Sequence, residues 1–349
     1  MAEVRRVGIL TGGGDAPGLN GVIRAVTTRC IEDYGYEVSG IRRGWKGLLS
    51  PEADSVESLS VEDVRYILQE GGTILLSSRT NPYKNEGDAE KVVDNLREFG
   101  IDALVAIGGD DTLGVAKRLY DDFGVQVVGC PKTIDNDLSA TDTTFGYDTA
   151  VSIATEAIDR IRTTAKSHER IIVVEVMGRH AGWITWGAGV ASAANVTLIP
   201  EVEPDIEGIA DLFKKRAEKG ERWGLVAVSE GVVLSEDYIT QTAERDEFGH
   251  VRLGGIGETL AGELKERTGI DTRHVVLGHL QRGGTPTAYD RILSTRYGLR
   301  AAEAVKNGEW GQMVALRGNE IVTVSLAEAT GETKTVPDDL YRAAETFFG

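Results

Sequence analysis

At 349 residues the chain is long enough for one large or two ordinary domains, and 55 acidic against 38 basic side chains leave a formal net charge of −17. A field of that sign repels polyanions, which excludes nucleic acid and an anionic membrane as partners and requires a local cluster of cations for any anionic substrate. Two cysteines, Cys30 and Cys130, are too few for a disulfide framework, and no run approaches the ~20 apolar residues of a membrane span.

The opening "MAEVRRVGIL" lacks the apolar core of a signal peptide and runs into a predicted strand at Arg6–Leu10, so a soluble cytoplasmic protein is expected. Short β-rich apolar runs then alternate with amphipathic segments, the pattern of βαβ units and a mostly parallel sheet. A helix is predicted over Gly18–Tyr34 and a strand over Glu37–Ile41. A loop through "EADSVESLS" follows, leading into a helix capped at Ser60 with Asp63 at capping-box spacing. Next come a helix at Asp88–Phe99, a strand at Ala103–Ile107, a helix at Thr112–Asp122, a strand at Val125–Gly129 and a helix at Tyr147–Thr164. The second half continues with strands at Ile171–Val176, Leu225–Val228 and His274–Leu277 and helices at Glu207–Lys219 and Gly257–Thr268. The expected fold is α/β, with two lobes of mostly parallel sheet flanked by helices. No proline- or serine-rich linker divides it, so the expected boundary is discontinuous: residues 1–146 with 281–330 in one lobe, 147–280 with 331–349 in the other.

Three strand ends carry the chemistry. "TGGGDAPGLN" from Thr11 lets backbone N–H groups approach an anion. It is neither a Walker loop nor a dinucleotide fingerprint. "AIGGDDT" and "GCPKTIDNDLSATDTTFGYDT" follow the next strands, and loops at the carboxyl ends of parallel strands share one crevice. Asp110, Asp111, Asp135 and Asp137 would converge there and repel one another unless cations intervene. Mg²⁺, Lys132 and Arg79 of "SSRTNPYK" would supply that charge. Phosphoryl transfer needs such a set: a metal-holding carboxylate in Asp110, a cation on the moving group, and a separate base in Asp135. The second half offers an acceptor site in Arg170, Met177–Gly178–Arg179, Glu230, Arg273, His279 and Arg282, since arginines grip a phosphate monoester and a carboxylate accepts from sugar hydroxyls.

Taken in order, "TGGGDAPGLN", "GGDDT", "PKTIDND", "VVEVMGRHAGW", "SEG" and "LGHLQRGGTPTAYDR" resemble the 6-phosphofructokinases over nearly the whole chain. The resemblance implies phosphoryl transfer to the 1-hydroxyl of fructose 6-phosphate, in a cleft between the lobes, within glycolysis or gluconeogenesis. By position, Gly14 would line the donor phosphate and Asp110 would ligate Mg²⁺. Arg79 and Thr133 would contact the transferring phosphoryl, with Asp135 as base and Asp137 supporting the acceptor hydroxyl. Met177, Gly178, Arg179 and Glu230 would hold the sugar, while Arg170, Arg273, His279 and Arg282 grip its 6-phosphate. In the family the counterparts of Arg170 and Arg273 come from a neighbouring subunit, which implies a homodimer or homotetramer.

Two positions bear on the donor. The ATP-dependent bacterial pattern has glycine where this chain has Asp111 and Lys132. An Asp side chain fills the volume of a nucleotide's α-phosphate and ribose, and a lysine can pair with it and reach a donor phosphate. Both changes resemble the pyrophosphate-dependent branch, so pyrophosphate is the expected donor and the reaction should run readily in reverse. The alternatives are an ATP-dependent phosphofructokinase, a kinase for another phosphosugar such as sedoheptulose 7-phosphate, and a non-catalytic sugar-phosphate sensor.

Overall fold

The computed structural model describes residues 4–234 and 255–349. Strands β1 (Arg6–Thr11), β2 (Glu37–Ile41), β3 (Val56–Leu59), β4 (Ala103–Gly108) and β5 (Val127–Pro131) alternate with helices α1 (Leu19–Glu32), α2 (Trp45–Leu49), α3 (Val61–Val64), α4 (Asp88–Glu98) and α5 (Asp110–Phe123). Then follow α6 (Tyr147–Ser167), β6 (Ile171–Val176), α7 (Trp183–Ala191), β7 (Val196–Leu198), α8 (Ile206–Glu218), β8 (Gly224–Ser229), α9 (Ile256–Thr268) and β9 (Thr272–Val276). A short 3-10 turn at Gly278–Arg282 leads to α10 (Ala288–Asn307), β10 (Gln312–Arg317), β11 (Glu320–Ser325), α11 (Leu326–Ala329) and α12 (Asp338–Glu345).

The strands form two sheets, ordered β11-β10-β5-β4-β1-β2-β3 and β7-β8-β6-β9. The second sheet is parallel throughout, and the first is parallel except where β3 and β11 close its edges. Every residue of β4, β6 and β8 is buried, because helices cover both faces of a parallel sheet and its strands read as unbroken apolar runs. One apolar cluster gathers α1 and α10 on one face of the first sheet and a second gathers α4 and α5 on the other. Two more clusters sandwich the second sheet. This is the expected α/β class. In the first sheet β1 leads to β2 on one side and to β4 on the other, so the switch point where ligands gather lies between the ends of β1 and β4.

Differences from the expected elements have local causes. Strand β5 starts two residues late, since α5 ends in a left-handed Gly124 and its capping turn engages the Val125 amide with the Leu119 carbonyl. That shift places Lys132 immediately beyond the strand end. Helix α5 starts two residues early and takes both Asp110 and Asp111 into its first turn, where the positive end of a helix favours carboxylates. The stretch read as a loop before Ser60 contains β3, antiparallel to β2, while the Ser60–Asp63 capping box forms as read. The β10–β11 hairpin was not foreseen.

Candidate active site

The carboxyl ends of both sheets open onto a cavity of ≈310 Å³. From the first sheet come Gly14, Asp110, Asp111, Lys132, Thr133, Asp135 and Asp137, together with Arg79; from the second come Met177, Arg179 and Glu230; Arg282 follows the 3-10 turn. Twelve predicted residues thus share one wall. The glycines of the first loop are needed for contact with neighbours. Gly13 adopts φ 79° beneath the Lys132 ammonium, and a Cβ on Gly14 would lie 2.6 Å from an Arg282 nitrogen. Arg282 donates from Nη1 to the Asp15 carbonyl at 3.2 Å, so in this structure it lies across the donor loop.

Lys132 is 3% exposed, and its Nζ donates to the Gly14 carbonyl at 2.5 Å. Burial, with Arg282 adding repulsion, pushes its pKa down to about 7. The carboxylates opposing that shift are Asp137, Asp15 and Asp135. Burial and neighbouring Asp137 push Asp135 up to about 7. Its Oδ1 is enclosed with no hydrogen-bond partner among the described residues, and its backbone N–H donates to Thr133 Oγ1 at 3.1 Å. A carboxylate held near neutrality with one lone oxygen turned inward has the character of a general base. Glu230 is likewise raised by burial. Among the described residues no three His, Cys, Asp or Glu side chains converge to cage a metal. A hard cation that takes one or two carboxylates and completes its shell with phosphate oxygens and water fits the aspartates of this wall.

Gly178 does not line the cavity but shapes it. At φ 141° it presses the Met177–Arg179 turn against the end of β8, where a Cβ would lie 2.7 Å from Ser229 Oγ. Its N–H faces Glu230 Oε1 at 3.5 Å. Arg170, Arg273 and His279 lie outside the wall. Arg170 precedes β6 and Arg273 is the second residue of β9, at the amino ends of parallel strands, and both approach Asp271. The six residues of β6 separate that end from the cavity, roughly 20 Å at the rise of a strand. His279 sits exposed on the 3-10 turn.

Other residues on the wall escaped the sequence reading: Gly13, Gly109, Thr112, His180 and the run Thr330–Thr333. Gly13, Gly109, Thr112 and His180 lie inside motifs already recognised. Thr330–Thr333 carries no motif, because it reaches the cavity only through the return of the chain after β11.

Residues 6–305 match the family described as phosphofructokinase. The chain belongs to the phosphofructokinase family. It is 59% identical over 345 residues to the pyrophosphate–fructose 6-phosphate 1-phosphotransferase of Amycolatopsis methanolica, covering 99% of this chain and 100% of that one. It is 50% identical over 341 residues to ATP-dependent 6-phosphofructokinase 3 of Streptomyces coelicolor, covering 97% and 99%. Among solved structures, Pichia pastoris phosphofructokinase in the T-state superposes with a TM-score of 0.80 at 32% identity; all of this chain matches, over 37% of that longer one. The resemblance drawn from the motifs is therefore borne out.

Proposed function

We propose that this phosphofructokinase transfers a phosphoryl group from pyrophosphate to the 1-hydroxyl of fructose 6-phosphate, giving fructose 1,6-bisphosphate and phosphate, reversibly and in the cytoplasm. The observation that carries the donor assignment is the pair Asp111 and Lys132 on the cavity wall, with Lys132 buried over the Gly13–Gly14 turn. An acidic side chain beside the donor loop repels and displaces an adenosine-bearing α-phosphate, and a buried ammonium rewards a compact diphosphate. The relative of higher identity carries a pyrophosphate name, which supports the same reading. The ATP-dependent name borne by a relative at 50% identity supports ATP as the second reading.

In the reaction, Asp135 takes the proton of the 1-hydroxyl, the freed oxygen attacks the phosphorus, and the bridging P–O bond breaks with phosphate leaving. Held near pH 7, Asp135 is divided between its two forms at neutrality and can return that proton in the reverse direction. Arg79 and Thr133 receive the moving phosphoryl, Asp137 supports the acceptor hydroxyl, and Gly14 lines the donor. Asp110 would hold Mg²⁺, which when bound neutralises charge developing on the phosphates. Met177, Arg179 and Glu230 hold the sugar, with Gly178 shaping the turn that presents the first two. His279 and Arg282 grip its 6-phosphate together with Arg170 and Arg273 of a second copy, in a dimer or tetramer. The donor lobe is residues 1–146 with 281–330 and the sugar lobe 147–280 with 331–349, a division supported by how the two sheets draw their strands.

Initial rates with Mg²⁺, fructose 6-phosphate and either donor test this. Pyrophosphate is expected to exceed ATP in kcat/KM by about 100-fold or more, a discrimination set by steric and charge conflict in the site. Asp111→Gly, alone and with Lys132→Gly, should narrow that ratio. Preference of the unaltered chain for ATP would overturn the donor assignment and leave the sugar kinase intact.

A further inference from the structure

The segment after α11 does more than close the wall. Thr333 pairs with Leu138 in an isolated antiparallel bridge, and Ser139 Oγ donates to the Glu332 carbonyl at 2.5 Å. The Lys334 N–H donates to the Asp137 carbonyl at 2.8 Å. The Lys334 ammonium has three donors, and three acceptors take them: Asn136 Oδ1 at 3.0 Å, the Thr141 carbonyl at 2.9 Å and the Asp142 carbonyl at 2.9 Å. On its other side the same segment meets the second sheet. Trp183 Nε1 donates to the Lys334 carbonyl at 2.9 Å, and Glu201 accepts from both Val336 and Gly182 amides.

What the ammonium grips is the turn between two cavity carboxylates. Asn136 lies between Asp135 and Asp137 with φ 52°, the left-handed region that few residues other than glycine adopt. Its side chain is 3% exposed and also accepts from the Thr144 N–H at 3.0 Å. A rotation of that backbone would turn both carboxylates away from the cavity together, so whatever fixes Asn136 fixes Asp135. Strained turns of this kind persist only where the surroundings over-determine them.

We infer that Lys334 is a positioning residue for phosphoryl transfer: by saturating its ammonium on Asn136, Thr141 and Asp142 it holds the left-handed turn that aims Asp135 and Asp137. It does not line the cavity, so its effect falls on the rate of the chemical step rather than on substrate affinity. Burial draws its pKa down to about 8, against the pull of Asp142 and Asp137, which leaves the ammonium the main form at neutral pH. The inference rests on the proposed reaction.

The test uses the full chain with Lys334→Ala, Lys334→Arg and Asn136→Gly, alone and combined, and reads kcat, both KM values and thermal unfolding. Misplacement of a reacting group by about 1 Å can lose about 100-fold. Lys334→Ala is therefore expected to lose roughly 30- to 100-fold in kcat with KM values within about threefold, a split that marks an interaction made in the transition state. Ethylammonium should restore part of the loss in Lys334→Ala, and Lys334→Arg should retain more rate than Ala. Asn136→Gly keeps the left-handed backbone but removes the acceptor. In combination with Lys334→Ala the losses should be less than additive, because the two side chains share the contact at Asn136 Oδ1 while Asn136 also holds the Thr144 N–H. A folded Lys334→Ala enzyme within about twofold of the unaltered kcat overturns the inference, as do fully additive losses with no response to the amine. If Lys334→Ala does not fold, Lys334→Arg and Asn136→Gly carry the same kcat-against-KM readout. An unaltered chain inactive with fructose 6-phosphate and pyrophosphate would instead defeat the reaction itself.

Discussion

Asp135 is the residue whose environment works hardest against its own charge. Burial and Asp137 raise its pKa to about 7, and its enclosed Oδ1 finds no donor among the described residues. A carboxyl whose folded pKa lies above its unfolded value adds stability below about pH 4, and loses it as pH rises through the folded value near 7. Asp135→Asn removes that loss. At pH 8 the ligand-free variant should be more resistant to unfolding by on the order of 1–2 kcal/mol, well below the full shift because solvent reaches the rest of the side chain. Turnover should fall by about 10²–10⁴, the usual contribution of a positioned base. Scanning calorimetry at pH 5 and pH 8 with parallel rate assays checks both halves, and a variant less stable at pH 8 would contradict the assignment. The motifs made Asp135 legible as a base because they are local strings. Nothing in those strings says that Arg282 would lie over Gly14, or that Lys132 would tie to the Gly14 carbonyl, since each contact joins positions more than a hundred residues apart.

Among the elements, the buried strands were readable as unbroken apolar runs and helices such as α1, α4 and α5 by their amphipathic period, whereas the 20-residue α10 was not among the expected helices. The β10–β11 hairpin carries a short local signal. Gly318 and Asn319 form the two-residue connection between paired Arg317 and Glu320, with Gly318 at φ 58°, a pairing that favours tight hairpins. By contrast β3, with the sequence VESL on a sheet edge, is too polar and the three-residue β7 too short to announce itself. Packing of α10 on α1 gives a prediction at this scale. A Cβ on Gly298 would lie 2.7 Å from Ala25 Cβ and 2.8 Å from the Val22 carbonyl, so the two helices touch at a point that admits only hydrogen. Gly298→Val should destabilise the protein by about 1–3 kcal/mol through overpacking. Urea unfolding gives that figure, with no change expected in the KM for either substrate of the folded variant.

For the molecule as a whole, Arg170 and Arg273 lie at the amino ends of β6 and β9, away from the cavity, and the proposed reading has a second copy supply them. Two separately inactive variants should then repair each other. Asp135→Asn retains Arg273, Arg273→Ala retains Asp135, and a mixed dimer contains one site with both. Co-refolding equal amounts should return about a quarter of the unaltered activity if the assembly is a symmetric dimer. Recovery no greater than the sum of the separate variants would mean that these arginines are not supplied across the interface. The sequence revealed both arginines through the family motifs, but which end of a strand they occupy became visible only in the sheet.

Strand β10 joins the first sheet beside β5, and Thr330–Thr333 completes the cavity wall from the far side of the hairpin. Since the ribosome delivers a chain from its amino terminus, the pieces that recognise phosphate emerge early and wait for a partner made some two hundred residues later. A nascent fragment that ends before β10 therefore lacks both the strand beside β5 and the last stretch of the cavity wall.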